Sequence, residues 1–336
     1  MEEDLILAKA ELISGGAVSV PKGYRFPVRL SRSTAGPGAG NRSVVFSFNG
    51  MRVKKSVSDD GEFCFDPEMN VISRDGGIVA MDVSIVPVAF HCPEQAFFNL
   101  DQRCRFNCLF CSSPHIEKDI TGSIDGETIA RMIREYKGPI RSIALTTGIR
   151  DSVEGSVKRM IDCVRVLKTE FPGMPIGVEP YIDSEDQIDG LFGAGAAEIK
   201  INIETATDDL FKRFCPALDR NVIFDMLAHA VEVFGRGKVA SNLIVGLGES
   251  DDDIQTMIER LCSMGVTPCI RGLRINKDVR DPLMDEGISG QPSPERLIRI
   301  AKIQKSMMER YSLDSRSFDT MCLRCTCCDL VPFIDL

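Results

Sequence analysis

"ASNLIVGLGESDDDIQTMIERLCSMGVTPCIRGLRI", residues 240 to 275, reads as strand, helix, strand. The apolar run at 240–247 is followed at 250–265 by apolar residues spaced three and four apart, and "PCIRGLRI" (268–275) restores the strand pattern. A helix between two strands is the crossover that parallel strands need. The same beat extends upstream. "AFFNLD" (96–101), "SIALTT" (142–147), "PIGVEPYI" (175–182) and "AEIKINIE" (197–204) bring the strands to six, with helical patterns at 125–138, 153–171 and 220–235. A last helix opens on "SPER" (293–296), with Ser at the N-cap and Pro in the first turn, and closes on "IAKIQKSMMERYS" (300–312). The fold class is therefore α/β, expected as a partial (β/α)6 TIM-type barrel over 91–312 rather than a doubly wound sheet.

Residues 1–90 break the rhythm. "YRFPVRLS" (24–31) and "SVVFSFNGMRVKKSVS" (43–58) look like strands joined through the Gly- and Pro-rich "STAGPGAGN" (33–41), a small β-rich N-terminal extension. "TAGPGAG" has no following Lys-Ser or Lys-Thr and no helix pattern, so a hairpin connection is expected there and not a phosphate loop. Residues 313–336 form a cysteine-rich C-terminal tail.

With 336 residues the chain can bury a large core, and its net charge of -9 argues against nucleic acid as a partner. No run of about 18 apolar residues suggests a membrane span, and the acidic start lacks signal-peptide features. A cytoplasmic protein is expected. Thirteen cysteines in a chain without an export signal point to metal ligation or catalysis more than to disulfides. Cys64, Cys163, Cys215, Cys262 and Cys269 lie in apolar strand or helix patterns and read as small hydrophobes.

Seven cysteines are clustered. "CRFNCLFC" (104–111) supplies Cys104, Cys108 and Cys111 directly after the first strand of the repeating units. Three thiolates at these spacers can bind three irons of a cubane and leave the fourth iron open, whereas structural zinc wants four ligands in separated pairs. "CLRCTCC" (322–328) supplies Cys322, Cys325, Cys327 and Cys328. Adjacent Cys327 and Cys328 diverge in most backbone conformations, so three good ligands are expected from the tail. A second iron-sulfur cluster is favoured there over zinc or redox thiols.

The C-x3-C-x-aromatic-C pattern, with Phe110 before Cys111, resembles the signature of radical S-adenosylmethionine enzymes. "LTTGIRDS" (145–152), "NIET" (202–205) and "SNLIVGLGES" (241–250) are similar to motifs of the biotin and lipoyl synthase group, over about 100–280. The resemblance implies two 4Fe-4S clusters, one radical and one auxiliary, and S-adenosyl-L-methionine cleaved to a 5'-deoxyadenosyl radical. It implies cofactor-binding roles for Phe110, Thr146, Thr147, Gly148, Glu179, Asn202, Glu204, Gly246 and Gly248, which fall at the C-terminal strand ends where such a barrel has its mouth. Glu204 is expected to end the fourth strand and accept ribose hydroxyls. Arg150, Arg274 and Asn276 are secondary candidates, while His91, His115 and His229 read as non-ligands. Lipoyl synthases carry their auxiliary cysteines before the radical motif, but here only Cys64 lies in 1–90. The C-terminal placement looks more like the two-protein archaeal type, whose auxiliary cluster can be held partly by serine, which makes Ser315 and Ser317 candidates. The expected tail cluster faces the barrel mouth. The implied activity is sulfur insertion into an octanoyl-lysyl carrier protein, with a low-potential electron donor such as ferredoxin and a second radical enzyme as partners. The alternatives are a related radical methyl transfer, rearrangement or metal-cofactor maturation, and a non-catalytic iron-sulfur scaffold.

Overall fold

The computed structural model describes residues 2–32, 42–115 and 123–336. The hairpin connection expected at 33–41 lies outside them. The chain opens not on a strand but on helix α1 (Glu2–Ser14). This helix shows no one-sided apolar stripe because Ile6, Ala8, Lys9, Ala10, Leu12 and Ile13 are all buried. The Lys55 ammonium, itself buried, donates to the carbonyls of Leu12 and Gly15 at its C-terminal end, at 2.5 and 2.9 Å.

Eight short strands follow: β1 (Val18–Ser19), β2 (Ser31–Arg32), β3 (Arg42–Phe48), β4 (Met51–Ser56), β5 (Phe63–Asp66), β6 (Val71–Arg74), β7 (Gly77–Ala80) and β8 (Ser84–Val86). They form two small sheets, β1-β5-β6-β7 and β2-β3-β4 with β8 on β3. The β-rich extension is present. Its core also takes in Leu297 and Ala301 from the last long helix and Leu330 from the tail.

The repeating units give β9 (Gln95–Asn99), α2 (Gly126–Glu135), β10 (Ser142–Thr146), α3 (Val153–Glu170), β11 (Ile176–Glu179), α4 (Glu185–Ala194) and β12 (Glu198–Lys200). They continue through α5 (Asp208–Phe214), α6 (Arg220–Phe234), β13 (Val239–Val245), α7 (Asp251–Met264), β14 (Thr267–Gly272), α8 (Arg280–Asp285), α9 (Pro294–Arg310) and α10 (Met321–Cys325). β9 to β14 form one six-stranded sheet in sequential order, every neighbouring pair parallel. Right-handed crossovers in that order put the helices on one face. Ile143, Leu145, Ile176, Val178, Ile199 and Leu243 pack in the same core as helix residues such as Ile129, Val157, Ile188 and Leu227. The opposite face carries a polar set: Gln95, Ser142, Glu179, Glu198, Lys200 and Asn242.

Candidate functional site

The three cysteines of "CRFNCLFC" lie half-buried on the loop that leaves β9. Backbone bonds tie this loop to its neighbours: Gly148 N–H donates to Asp101 O at 2.7 Å, Arg105 N–H to Ile149 O at 2.7 Å, and Leu109 N–H to Phe214 O at 3.0 Å. Gly148 is needed for this approach, since a Cβ there would stand 2.3 Å from the Arg103 carbonyl oxygen. Its place is therefore under the loop. Ile149 N–H donates to Cys104 Sγ at 3.5 Å, and Asn276 Nδ2 donates to Ser112 Oγ at 2.8 Å, just past Cys111. Buried Asp101 pairs with Arg103 at 3.2 Å and Arg150 at 3.4 Å. Burial pushes the Cys111 thiol up to about 11 and the Cys104 thiol upward, so metal ligation here is coupled to proton release. Cys215, expected to be a plain hydrophobe, is fully buried in the main core, against which Cys108 packs. Cys64, expected to lie in apolar packing, is exposed.

From the C-terminal strand ends inward, the polar face forms one connected network. Thr146 Oγ1 donates to the Glu179 carbonyl at 3.1 Å, and Thr147 Oγ1 to the Gly148 carbonyl at 2.9 Å. The Glu179 carboxylate accepts from Asn202 Nδ2 (3.0 Å) and Asn242 Nδ2 (3.3 Å) and pairs with Lys200 at 2.9 Å. Lys200 and Arg271 both reach Cys322 Sγ, at 3.1 and 2.5 Å. Burial works against the Lys200 charge, but Cys322 and Glu179 outweigh it and hold the ammonium above its ordinary range.

Glu204 does not end the fourth strand as expected. β12 stops at Lys200, because Ser241 Oγ accepts from Ile203 N–H (2.9 Å) and Asn202 Oδ1 accepts from Asn242 N–H (3.2 Å) in place of ladder carbonyls. Glu204 then forms an isolated bridge to Leu243 with φ +62. Burial, and after it the neighbouring Glu179 charge, push its carboxyl up to about 7. Gly246 and Gly248 both have positive φ, in a turn whose Gly246 and Leu247 N–H groups donate to the buried Glu249 carboxylate at 2.7 and 2.8 Å. Phe110 packs against the main core. Arg274 and Asn276 lie beyond the end of β14 rather than on it.

The tail does not face the C-terminal strand ends. It packs at the opposite ends, where the Glu198 carboxylate, at the start of β12, accepts from the N–H groups of Asp319 and Thr320, both at 2.9 Å. Gln95, the first residue of β9, donates to Met321 O at 3.3 Å and accepts from Met321 N–H at 2.5 Å. Such a buried carboxylate and amide recruit backbone donors that would otherwise be orphaned. Cys325 and Cys327 are buried with Cys92, Val45 and Val88, and Cys328 packs beside them. Lys54 N–H donates to the Cys327 carbonyl at 2.8 Å, and the Lys54 ammonium donates to His91 O at 2.9 Å and sits 3.2 Å from His91 Nδ1. Burial, then Lys54, push the His91 imidazole down to about 3. His115 is exposed and His229 pairs with Asp189 at 2.9 Å. The Ser317 hydroxyl donates to the Asp314 carbonyl at 2.7 Å, and Ser315 Oγ is buried without a partner among the described residues.

Do these residues fit clusters? Among the described residues no three His, Cys, Asp or Glu side chains converge on a single metal ion. The thiolates of a cubane would stand apart on different irons. Lys54, Lys200, Arg271 and Arg274 surround the tail cysteines, and Arg274 Nη2 is buried without a partner among the described residues. Arg271 also pairs with Asp329 at 3.3 Å and Lys200 with Glu179, and the buried cation set with its orphaned donor is compatible with anionic sulfur. Sequence reading missed Lys200 and Arg271. The Lys200 signal was available: in "EIKINIE" the polar residues alternate strictly, marking a polar face of the sheet.

Residues 99–261 match the family model described as Radical SAM superfamily. It is 24% identical over 185 residues to a lipoyl synthase of Buchnera aphidicola, covering 54% of this chain and 57% of that protein. To a lipoyl synthase of Mycobacterium avium it is 26% identical over 204 residues, covering 58% and 64%. The chain thus spans less than two thirds of the length of these relatives. Among solved structures it is similar to methylornithine synthase, with TM-score 0.53 at 15% identity, covering 71% and 70% of the two chains. It is also similar to HydG, a maturase of the FeFe-hydrogenase, with TM-score 0.51 at 16% identity, covering 65% and 50%. These two likenesses speak to fold alone. No described helix is long and apolar enough to cross a membrane.

Proposed function

We propose that this chain, built on the radical S-adenosylmethionine domain matched at 99–261, inserts sulfur into an unactivated carbon of an octanoyl-lysyl carrier protein. We read the sequential six-stranded sheet as a partial barrel, with the radical site at its C-terminal end. When bound, the cluster and S-adenosylmethionine supply a 5'-deoxyadenosyl radical that abstracts hydrogen. Cys104, Cys108 and Cys111 would hold that cluster. Thr146, Thr147, Asn202 and Glu204 line the strand ends where the cofactor's amino group and ribose would lie, and Glu179 fixes Asn202 and Asn242 behind them. The single observation that carries the sulfur reading is the tail. Cys325 and Cys327 are buried and half-buried Cys322 meets a cation set on the polar face of the same sheet, so a second cluster would lie across that face from the first. The lipoyl synthase names of the curated relatives support the substrate class, with ferredoxin as a suitable electron donor and a second radical enzyme as a possible requirement of the reaction.

The test is a single-turnover assay on reconstituted, reduced chain with S-adenosylmethionine and an octanoyl-lysyl peptide, the clusters carrying isotope-labelled sulfide. The expected product is a thiolated peptide bearing the label. Deoxyadenosine without sulfur gain would overturn the substrate assignment, and unlabelled thiolation would make the second cluster an electron carrier instead of a donor.

A further inference from the structure

With Cys322 turned to Lys200 and Arg271, the tail offers Cys325, Cys327 and Cys328, which leaves a four-iron cluster one ligand short, and the structure supplies a thiol from elsewhere in the chain. Cys92 precedes β9 and is 1% exposed. It shares one small buried cluster with Cys325 and Cys327, against which Cys328 packs, and Cys327 Sγ donates to the Cys325 carbonyl at 3.2 Å. Cys322 points away, toward Lys200 and Arg271.

The surroundings of Cys92 are not those of a cysteine used as a small hydrophobe. Cys163 and Cys262 lie on helices in the main apolar core. Cys92 Sγ instead accepts an N–H from Gln95 Nε2 at 3.2 Å, and the Lys54 ammonium lies beside the adjoining His91. An amide donor and a nearby cation are polar partners that a sulfur packed only as a hydrophobe would not have. Gln95 also binds Met321 through both its amide atoms, so the side chain that orients Cys92 fixes where α10 begins. Of the two serine candidates, Ser317 is engaged by backbone carbonyls, whereas the Ser315 hydroxyl is buried without a partner among the described residues.

We propose that Cys92 is a ligand of the auxiliary cluster, joining the tail cysteines across the start of β9. This rests on the reading above that the tail holds a cluster. The radical motif and the tail would then be linked through one strand, β9, with Cys92 ahead of it and Cys104 after it.

The experiment uses the full chain with Cys104, Cys108 and Cys111 all replaced by Ala, so that only the auxiliary site remains. Iron, acid-labile sulfide and Mössbauer spectra are compared for this parent, for the parent with Cys92→Ala, and for the parent with Cys92→Ser. The parent should retain about four irons per chain. Cys92→Ala should lose at least half of them after desalting. Cys92→Ser should keep a cluster in which one iron has a changed isomer shift, a signature that a packing defect would not produce and that serves if the Ala variant misfolds. A parent without iron overturns the auxiliary-cluster reading and this assignment together. Iron content and spectra unchanged in both Cys92 variants, with iron lost on Cys325→Ala, overturn the Cys92 assignment alone.

Discussion

Glu204 shows how a single side chain can be held ready for a ligand. Its carboxyl, raised to about 7 by burial and by Glu179, sits on a residue with φ +62 next to Asn202. The sign follows from linkage. A raised folded value means that the stability associated with this group is fully present below its ordinary 4.5 and is lost as pH rises through about 7. Ribose hydroxyls donating to the carboxylate would favour the ionised form, so cofactor binding should release a proton. S-adenosylmethionine affinity should therefore fall as pH drops below about 7, approaching tenfold per unit. Calorimetric titrations between about pH 5.5 and 8.5 should show this slope in wild type and a flat, weaker profile in Glu204→Gln. An identical slope in the Gln variant would remove Glu204 from the site. At this scale strand alternation in the sequence puts Asn202 and Glu204 on one face, but the end of β12 at Lys200 and the positive φ of Glu204 were not readable from it. The same alternation marked Lys200, but a lysine between isoleucines draws no attention until its carboxylate and thiol partners, distant in sequence, are in place.

At the scale of elements, the six strands lie within a few residues of where periodicity puts them, since each is a short apolar run, mostly β-branched or aromatic, between turns. The orientation of the tail was not readable, because it is decided by partners at the strand starts. Gly177 on β11 is one of them. A Cβ there would stand 2.0 Å from Thr320 Oγ1, and that hydroxyl is also held by Glu198. Gly177→Ala should therefore push the tail off the sheet, costing about 1–3 kcal/mol by overpacking and loosening the iron bound by the tail. Thermal melts and iron counts test this, with Gly177→Ala/Thr320→Gly expected to be more stable than the sum of the two single changes predicts. Strict additivity would place the tail elsewhere in solution.

For the molecule as a whole, the two ends of the chain close on each other. α1 eluded periodicity because its buried side is broad and includes Lys9 while Leu7 is exposed, and it packs against both α9 and the C-terminal residues. Lys9, fully buried, donates to the Thr326 carbonyl at 2.8 Å, between Cys325 and Cys327, and pairs with Asp335 at 2.6 Å. Asp335 in turn accepts from Val331 N–H at 2.7 Å. The N-terminal region thereby fixes the turn that carries the tail cysteines, and its stability should be felt at the auxiliary site. Lys9→Met leaves the Asp335 charge buried and unpaired, which should cost about 3–5 kcal/mol in urea unfolding. Lys9→Met/Asp335→Leu, which removes both charges, should recover most of that loss, since an apolar pair of similar volume can replace a buried ion pair. The Thr326 carbonyl would still lack its donor, so auxiliary iron should stay labile in the double variant even where global stability returns. Stability and iron retention recovering together would show that Lys9 acts only through its ion pair, and that the N-terminal region does not shape the cluster site.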